Sequence, residues 1–229
     1  MLNLITINPL PDAKIDHCGP FAGDLDIQYS DLVVDGVKVR IGETMDFSRA
    51  DPWSKLAIRA VKTLHDEGEF KGNITILEAG VGDGRNLLQA IGVGPDGGNI
   101  DPDWKGRLIG IDIDPRRIEL SRGNFQALGL SSRADFLEGD AVHRMQDYAA
   151  QVRSGESAKL SGVAIACLPQ APLDAETHSS ADGFDPRLPS FDRVRDITLC
   201  GRSVADYGLT LNAAFLSELR DCADDNNFR

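Results

Sequence analysis

Short apolar runs alternate with longer amphipathic ones from Ile74 onward. ITILEA reads as a first strand and GRNLLQAI as a helix start; RLIGIDID is a second strand, and PRRIELSRGNFQALGL a helix opened by Pro115 and closed by Gly129. ADFLEGDA then supplies a third strand with its turn, AVHRMQDYAAQVRSG a third helix, and LSGVAIACLPQ a fourth strand. Strands and helices alternating at this pitch predict an α/β fold, a parallel sheet with helices on both faces. Upstream, DLVVDGVKVRI places Asp35-Gly36 between two apolar runs, the signature of a tight hairpin.

DPWSKLAIRAVKTLHDEG follows, with Asp51 as N-cap, Pro52 in the first turn, Trp53, Leu56, Ala60 and Leu64 at helical spacing, and Gly68 past the end. The expected organisation is an N-terminal β-ribbon and helix over residues 1–69 and a main domain over 70–229. GVGPDGGNIDPDWKG, between the first helix and the second strand, reads as a loop. SVADYGLTLNAAFLSELRDCADD reads as one last helix. Four strands therefore stand where a doubly wound sheet has more, so the distal strands are expected to be missing from this chain or supplied by a partner.

Composition narrows the chemistry. Among 229 residues, 41% are hydrophobic, enough for a sizeable core. Lys and Arg number 24 against 36 Asp and Glu, a formal charge of −12. A phosphate backbone would meet net repulsion, which argues against nucleic acid as a partner. No apolar stretch approaches the roughly 20 residues of a membrane span, and the start lacks a signal-peptide pattern, so a cytoplasmic, membrane-free protein is expected. Cys18, Cys167, Cys200 and Cys222 show no CxxC spacing, and no metal site is expected. His17, His65, His143 and His178 are scattered, without the partnered spacing of a catalytic base.

Ligands of open parallel sheets sit beyond the carboxyl ends of the strands. After the first strand, EAGVGDG offers Gly80, Gly82 and Gly84, which permit positive φ and close backbone approach, beside the acid Glu78. A dinucleotide fingerprint would need its third glycine one residue later, which disfavours a nicotinamide cofactor. After the second strand, Asp112 is placed to accept from both hydroxyls of an unphosphorylated ribose, while Asp114 caps the helix beginning at Pro115. After the third, Asp140 is placed to accept from an adenine amino group, to cap the next helix, or both.

EAGVGDG, GIDIDP and EGDA, in this order, resemble the opening motifs of class I S-adenosylmethionine-dependent methyltransferases over residues 70–170. The resemblance implies a Rossmann-like sheet of order 3-2-1-4-5-7-6, S-adenosyl-L-methionine as cofactor and S-adenosyl-L-homocysteine as product. It assigns Glu78 to the amino end of the cofactor and the glycines, Asp112, Asp140 and Cys167 to its other parts. Enzymes of this class acting on amide or amino nitrogen carry an N/D-P-P-Y/F tetrapeptide after strand four; this chain has CLPQ. Cys167 is a weak donor and a poor acceptor, a poor device for holding a nitrogen.

CLPQAP and the later DITLCGRSVADYGLTLNAAFLSEL are similar to segments of the methyltransferase domain of methionine S-methyltransferases. That likeness implies free L-methionine as acceptor, S-methylmethionine as product and a place at the start of a dimethylsulfoniopropionate route. Pro169, Gln170, Arg202, Asp206 and Tyr207 would then line the acceptor site: Arg202 or Arg195 for the carboxylate, Asp206 for the ammonium, and Tyr207 for the moving positive charge. Phe47 and Trp53 are candidates for a lid over the cofactor, and the oligomeric state, a homodimer included, stays open. Two other readings stay open: an N- or O-methyltransferase acting on a peptide or metabolite, and a nucleoside-binding module without turnover.

Overall fold

The computed structural model describes residues 25–44, 52–69, 74–94, 96–101, 104–166, 168, 198–199, 202–203 and 210–228. Phe47, Cys167, Pro169, Gln170, Arg195, Asp206 and Tyr207 lie outside them, as do the side chains of Trp53 and Arg202. The chain opens with β1 (Ile27–Val34) and β2 (Val37–Thr44), paired antiparallel from Ile27↔Thr44 to Val34↔Val37. Asp35 and Gly36 take φ of 50° and 77°, the tight hairpin that Asp-Gly favours.

Helix α1 (Pro52–Asp66) forms where expected, closed by Gly68, but with another face inward. Ile58 and Val61 are buried, with Ala57 and Leu64 half-buried, whereas Leu56 is 58% exposed and Ala60 also faces out. Apolar residues occur on more than one side of this helix, and packing against the next helix of the chain, Arg85–Ala90, selected the stripe one step round from the expected one.

The central sheet contains β3 (Thr75–Ala79), β6 (Arg107–Asp112), β7 (Ala134–Glu138), β8 (Leu160–Ala166) and β11 (Ala223–Phe228), all parallel, in the order β11-β8-β3-β6-β7. Counted along the main sheet this is 3-2-1-4-5. Helices α2 (Arg85–Ala90) and α3 (Pro115–Ala127) lie on one face with the hairpin, and α4 (Ala141–Ser154) and α5 (Thr210–Cys222) on the other.

Two differences from expectation concern strands. The last helix stops at Cys222, and the chain runs directly into β11, a fifth strand beyond β8, so the expected count of four is corrected to five. ADDNNF has neither the apolar character nor the β-branched residues of a strand, and an edge position needs a ladder on one side alone. The glycine-rich stretch after α2 is not merely a loop: β4 (Val93–Gly94) and β5 (Gly97–Gly98) form a small ribbon, and β5 joins β1 to give a second sheet of order β2-β1-β5-β4. A Cβ on Gly97 would come within 2.3 Å of the Val33 carbonyl oxygen, so the glycine is what lets the two backbones meet. Residues Thr198–Leu199 and Arg202–Ser203 form a further antiparallel pair, β9 and β10; Ser203 is therefore strand, not helix as expected.

Candidate functional site

Three loops leave the carboxyl ends of β3, β6 and β7, and backbone hydrogen bonds join each to the next. Gly80 N–H and Val81 N–H donate to the Ile111 carbonyl at 2.8 and 3.0 Å, and Gly139 N–H donates to the Asp112 carbonyl at 2.9 Å. The Asp112 side chain completes the junction. Its Oδ2 accepts from Gly82 N–H at 2.9 Å and its Oδ1 from Asp114 N–H at 3.0 Å. One residue therefore ties all three loops together. Burial pushes the Asp112 carboxyl above its ordinary value, against the pull of these two amides and of Arg117.

The glycines divide their work. Gly80, Gly82 and Gly84 all have positive φ, 77°, 58° and 83°. A Cβ on Gly84 would sit 2.9 Å from Phe125 and 3.3 Å from Ser121 Oγ, so that glycine allows α3 to close under the loop. A Cβ on Gly82 would meet nothing nearer than Arg117 Nη1 at 3.8 Å. The backbone at Gly82 is thus open on its outer side, as close approach of a ligand requires.

Helix α3 supports the loop from beneath. Ser121 Oγ donates to the Gly82 carbonyl at 2.7 Å, and Asn124 Nδ2 donates to the Asp83 carbonyl at 2.9 Å. Residues 117, 121, 124 and 125 share one face at helical spacing, which is how a single helix reaches successive peptide groups. Asp114 caps this helix as expected, accepting from Arg116 N–H at 3.0 Å, and its carboxylate also receives the Arg116 guanidinium, with Nη2 at 2.6 Å. Burial works against the Asp114 carboxylate, but the Arg116 guanidinium and amide outweigh it and hold it below the ordinary value.

Of the residues expected at the site, Gly80, Gly82, Gly84, Asp112 and Asp140 meet around these strand ends. Asp140 caps α4, accepting from His143 N–H at 2.9 Å, and the His143 ring stands 3.5 Å from it. Glu78 is wholly buried, and its Oε1 accepts from Asn86 Nδ2 at 2.7 Å. Its carboxyl group is buried, not on the surface of the loop. Arg202 belongs to β10.

Sequence reasoning missed Asp83, Asn86, Ser121 and Asn124. Asp83 is buried and holds Arg85 through both carboxylate oxygens. The sole signal was an acid inside a glycine loop, which is costly unless engaged. Ser121 and Asn124 read as ordinary polar positions, because their partners lie some 40 to 80 residues away in sequence. Among the described residues no cluster of three or more His, Cys, Asp and Glu is arranged to hold a metal ion, and no helix is long and apolar enough to cross a membrane.

A solved structure shares the fold. An S-adenosylmethionine-dependent methyltransferase from Agrobacterium tumefaciens is similar with a TM-score of 0.51 over 87% of this chain and 50% of that one, at 13% identity. The fold is that of the Rossmann-like methyltransferases. An O-methyltransferase from Bacillus cereus in complex with S-adenosylhomocysteine is also similar, at 16% identity, with a TM-score of 0.37 over 55% of this chain and 47% of that one. This chain spans about half the length of these two methyltransferases. No protein-family model and no curated protein matches the sequence.

Proposed function

We propose that the chain binds S-adenosyl-L-methionine and transfers its methyl group to a small acceptor, the thioether sulfur of free L-methionine. The observation that carries the cofactor half is the Asp112 junction: one carboxylate at the end of β6 joined to Gly82, whose outer backbone face is open. The donor set fits an adenosyl group. Each oxygen of Asp112 accepts one amide, leaving lone pairs for the ribose hydroxyls. Asp140 stands at the next strand end for the adenine amino group, and its capping bond to His143 N–H leaves one oxygen for that role. Glu78 is buried next to the loop, and in its ionised form it would favour a cationic ligand there.

The cofactor, when bound, supplies an electrophilic methyl group on a sulfonium. A thioether sulfur attacks with its lone pair and loses no proton, so the chain's task is to orient and to exclude water rather than to act as a base. Alignment of two bound reactants is worth up to about 7–11 kcal/mol in favourable cases. The acceptor half rests on the likeness of CLPQ and of the segment from Asp196 to Leu219 to methionine S-methyltransferases. In that reading Arg202 and Asp206 hold the amino-acid groups, Tyr207 steadies positive charge, and Cys167, Pro169 and Gln170 close the loop between cofactor and acceptor.

The test is a product assay by mass spectrometry with methyl-labelled S-adenosylmethionine and, in parallel, L-methionine, homocysteine, glutamine and a glutamine-containing peptide. Label in S-methylmethionine alone is the expected result. Label in one of the other acceptors instead would overturn the methionine assignment and keep methyl transfer, and no label in any product would remove both.

A further inference from the structure

Strand β2 is an edge strand of its sheet, and its end lies against the glycine loop. Alternate residues of an edge strand present N–H and C=O groups with no ladder to join. At Gly42 and Thr44 those groups are taken up by side chains from the cofactor side. Asn124, buried in α3, accepts Gly42 N–H on Oδ1 at 2.7 Å and donates from Nδ2 to the Gly42 carbonyl at 2.7 Å, in addition to the Asp83 carbonyl. Two residues along, Asp83 Oδ2 accepts Thr44 N–H at 3.1 Å, and Arg85 Nη2 donates to the Thr44 carbonyl at 3.1 Å.

We infer that β2 is a working part of the cradle that holds the cofactor, and that Asn124 is the positioning residue that couples hairpin to loop. The inference rests on the cofactor reading given above. Asn124 and Ser121 hold two successive carbonyls, those of Asp83 and Gly82, down onto α3. Because a peptide unit is planar and trans, fixing a carbonyl also fixes the direction of the N–H that follows it. The loop is thereby set from below by α3 and from the side by β2. Both constraints meet in a single amide side chain, with both its hydrogens and its oxygen in use.

Three measurements on the full chain decide it: S-adenosylhomocysteine affinity by calorimetry, urea unfolding, and hydrogen exchange read separately over residues 37–44 and 78–88. Asn124→Ala should weaken the ligand by about tenfold or more, since buried partners lose their bonds, and should speed exchange in both segments. Leu219→Ala, buried on the opposite face of the sheet, is the control for general destabilisation: it should lower stability yet leave affinity unchanged. Equal affinity in wild type and Asn124→Ala would overturn the inference, as would an equal loss in Leu219→Ala. If Asn124→Ala does not fold, Asp83→Asn keeps size while weakening the Arg85 bond, and should show the same pattern to a smaller degree; unchanged affinity there overturns the inference equally. If wild type binds no S-adenosylhomocysteine, the cofactor reading itself falls. The coupling is then judged by exchange in the Asn124 variant, kept by a rise in both segments and overturned by a rise in one alone.

Discussion

On one face of the central sheet, α2, α3 and the hairpin meet the strands through buried carboxylates, amides and a hydroxyl as well as through Ile76, Leu88, Leu108, Phe125 and Phe136. On the other face, α4 and α5 meet the same strands through Leu77, Ile109, Ile111, Met145, Phe215 and Leu219. There the carboxylate of Glu218, also buried, accepts from Gln146 Nε2 at 3.3 Å and so joins the two helices. Both faces exclude water, and among the described residues the side-chain bonds that reach the glycine-loop backbone come from the first. A polar network costs desolvation unless every member is engaged, so its concentration beneath the glycine loop marks the side on which geometry, and not merely burial, has to be specified.

The comparison breaks if changes on the apolar face alter ligand affinity, or if changes on the polar face alter stability alone. Phe215→Ala, on the apolar face, should have the largest effect on folding: about 3–5 kcal/mol lost in urea unfolding, with S-adenosylhomocysteine affinity of the remaining folded protein unchanged. Gly84→Ala forces a side chain to φ of 83° and into Phe125. Left-handed strain of about 1–2 kcal/mol and overpacking of about 1–3 kcal/mol should add, and affinity should fall as well. Ser121→Ala removes the donor to the Gly82 carbonyl and should cost about 1 kcal/mol, with a measurable loss of affinity that sets it apart from a core substitution of equal size.

The two aspartates after β6 sharpen the contrast through pH. Asp114 has a lowered carboxyl, so its contribution to stability is present above the ordinary value of 3.8 and is lost as pH falls through its native one. Asp112 has a raised carboxyl; in the window above 3.8 the native state holds a proton that the unfolded chain has released, and that contribution disappears as pH rises through the native value. Asp114→Asn should therefore flatten the acid limb of the stability curve, whereas Asp112→Asn should flatten the part just above it; urea midpoints between roughly pH 2 and 7 measure both. The smallest effect belongs to Cys222, whose thiol burial pushes up to about 11. Peptide-resolved alkylation at pH 8 should leave it unmodified until the protein unfolds, and rapid native labelling would contradict its place in the apolar core.

Much of this architecture was legible because it is local. The alternation from Ile74 to Ala166, the Asp35-Gly36 turn and the caps at Asp114 and Asp140 follow from residues within a few positions of one another. So do the placements of Gly82 and Asp112 at adjacent strand ends. What stayed hidden depends on distance or on weak local signal. β11 is written in aspartate and asparagine, and its strand state comes from pairing with β8. β5 is two glycines whose identity as a strand comes from pairing with β4 and with Val34 of β1. The inward face of α1 was set by its neighbour, since Leu56 and Ile58 are equally apolar in sequence. Asn124 joins Gly42 to Asp83 across 82 and 41 positions, a relation with no period to detect.

The most direct test of the account is a calorimetric titration of S-adenosylhomocysteine into the wild-type chain and Asp112→Ala, with urea unfolding of both in parallel. The account predicts that wild type binds and that Asp112→Ala loses about tenfold or more in affinity, the equivalent of one lost charged hydrogen bond, while the variant retains a cooperative unfolding transition. Equal affinity in the two proteins, or no binding by wild type, would contradict the assignment of the β6 carboxylate and, with it, the central claim.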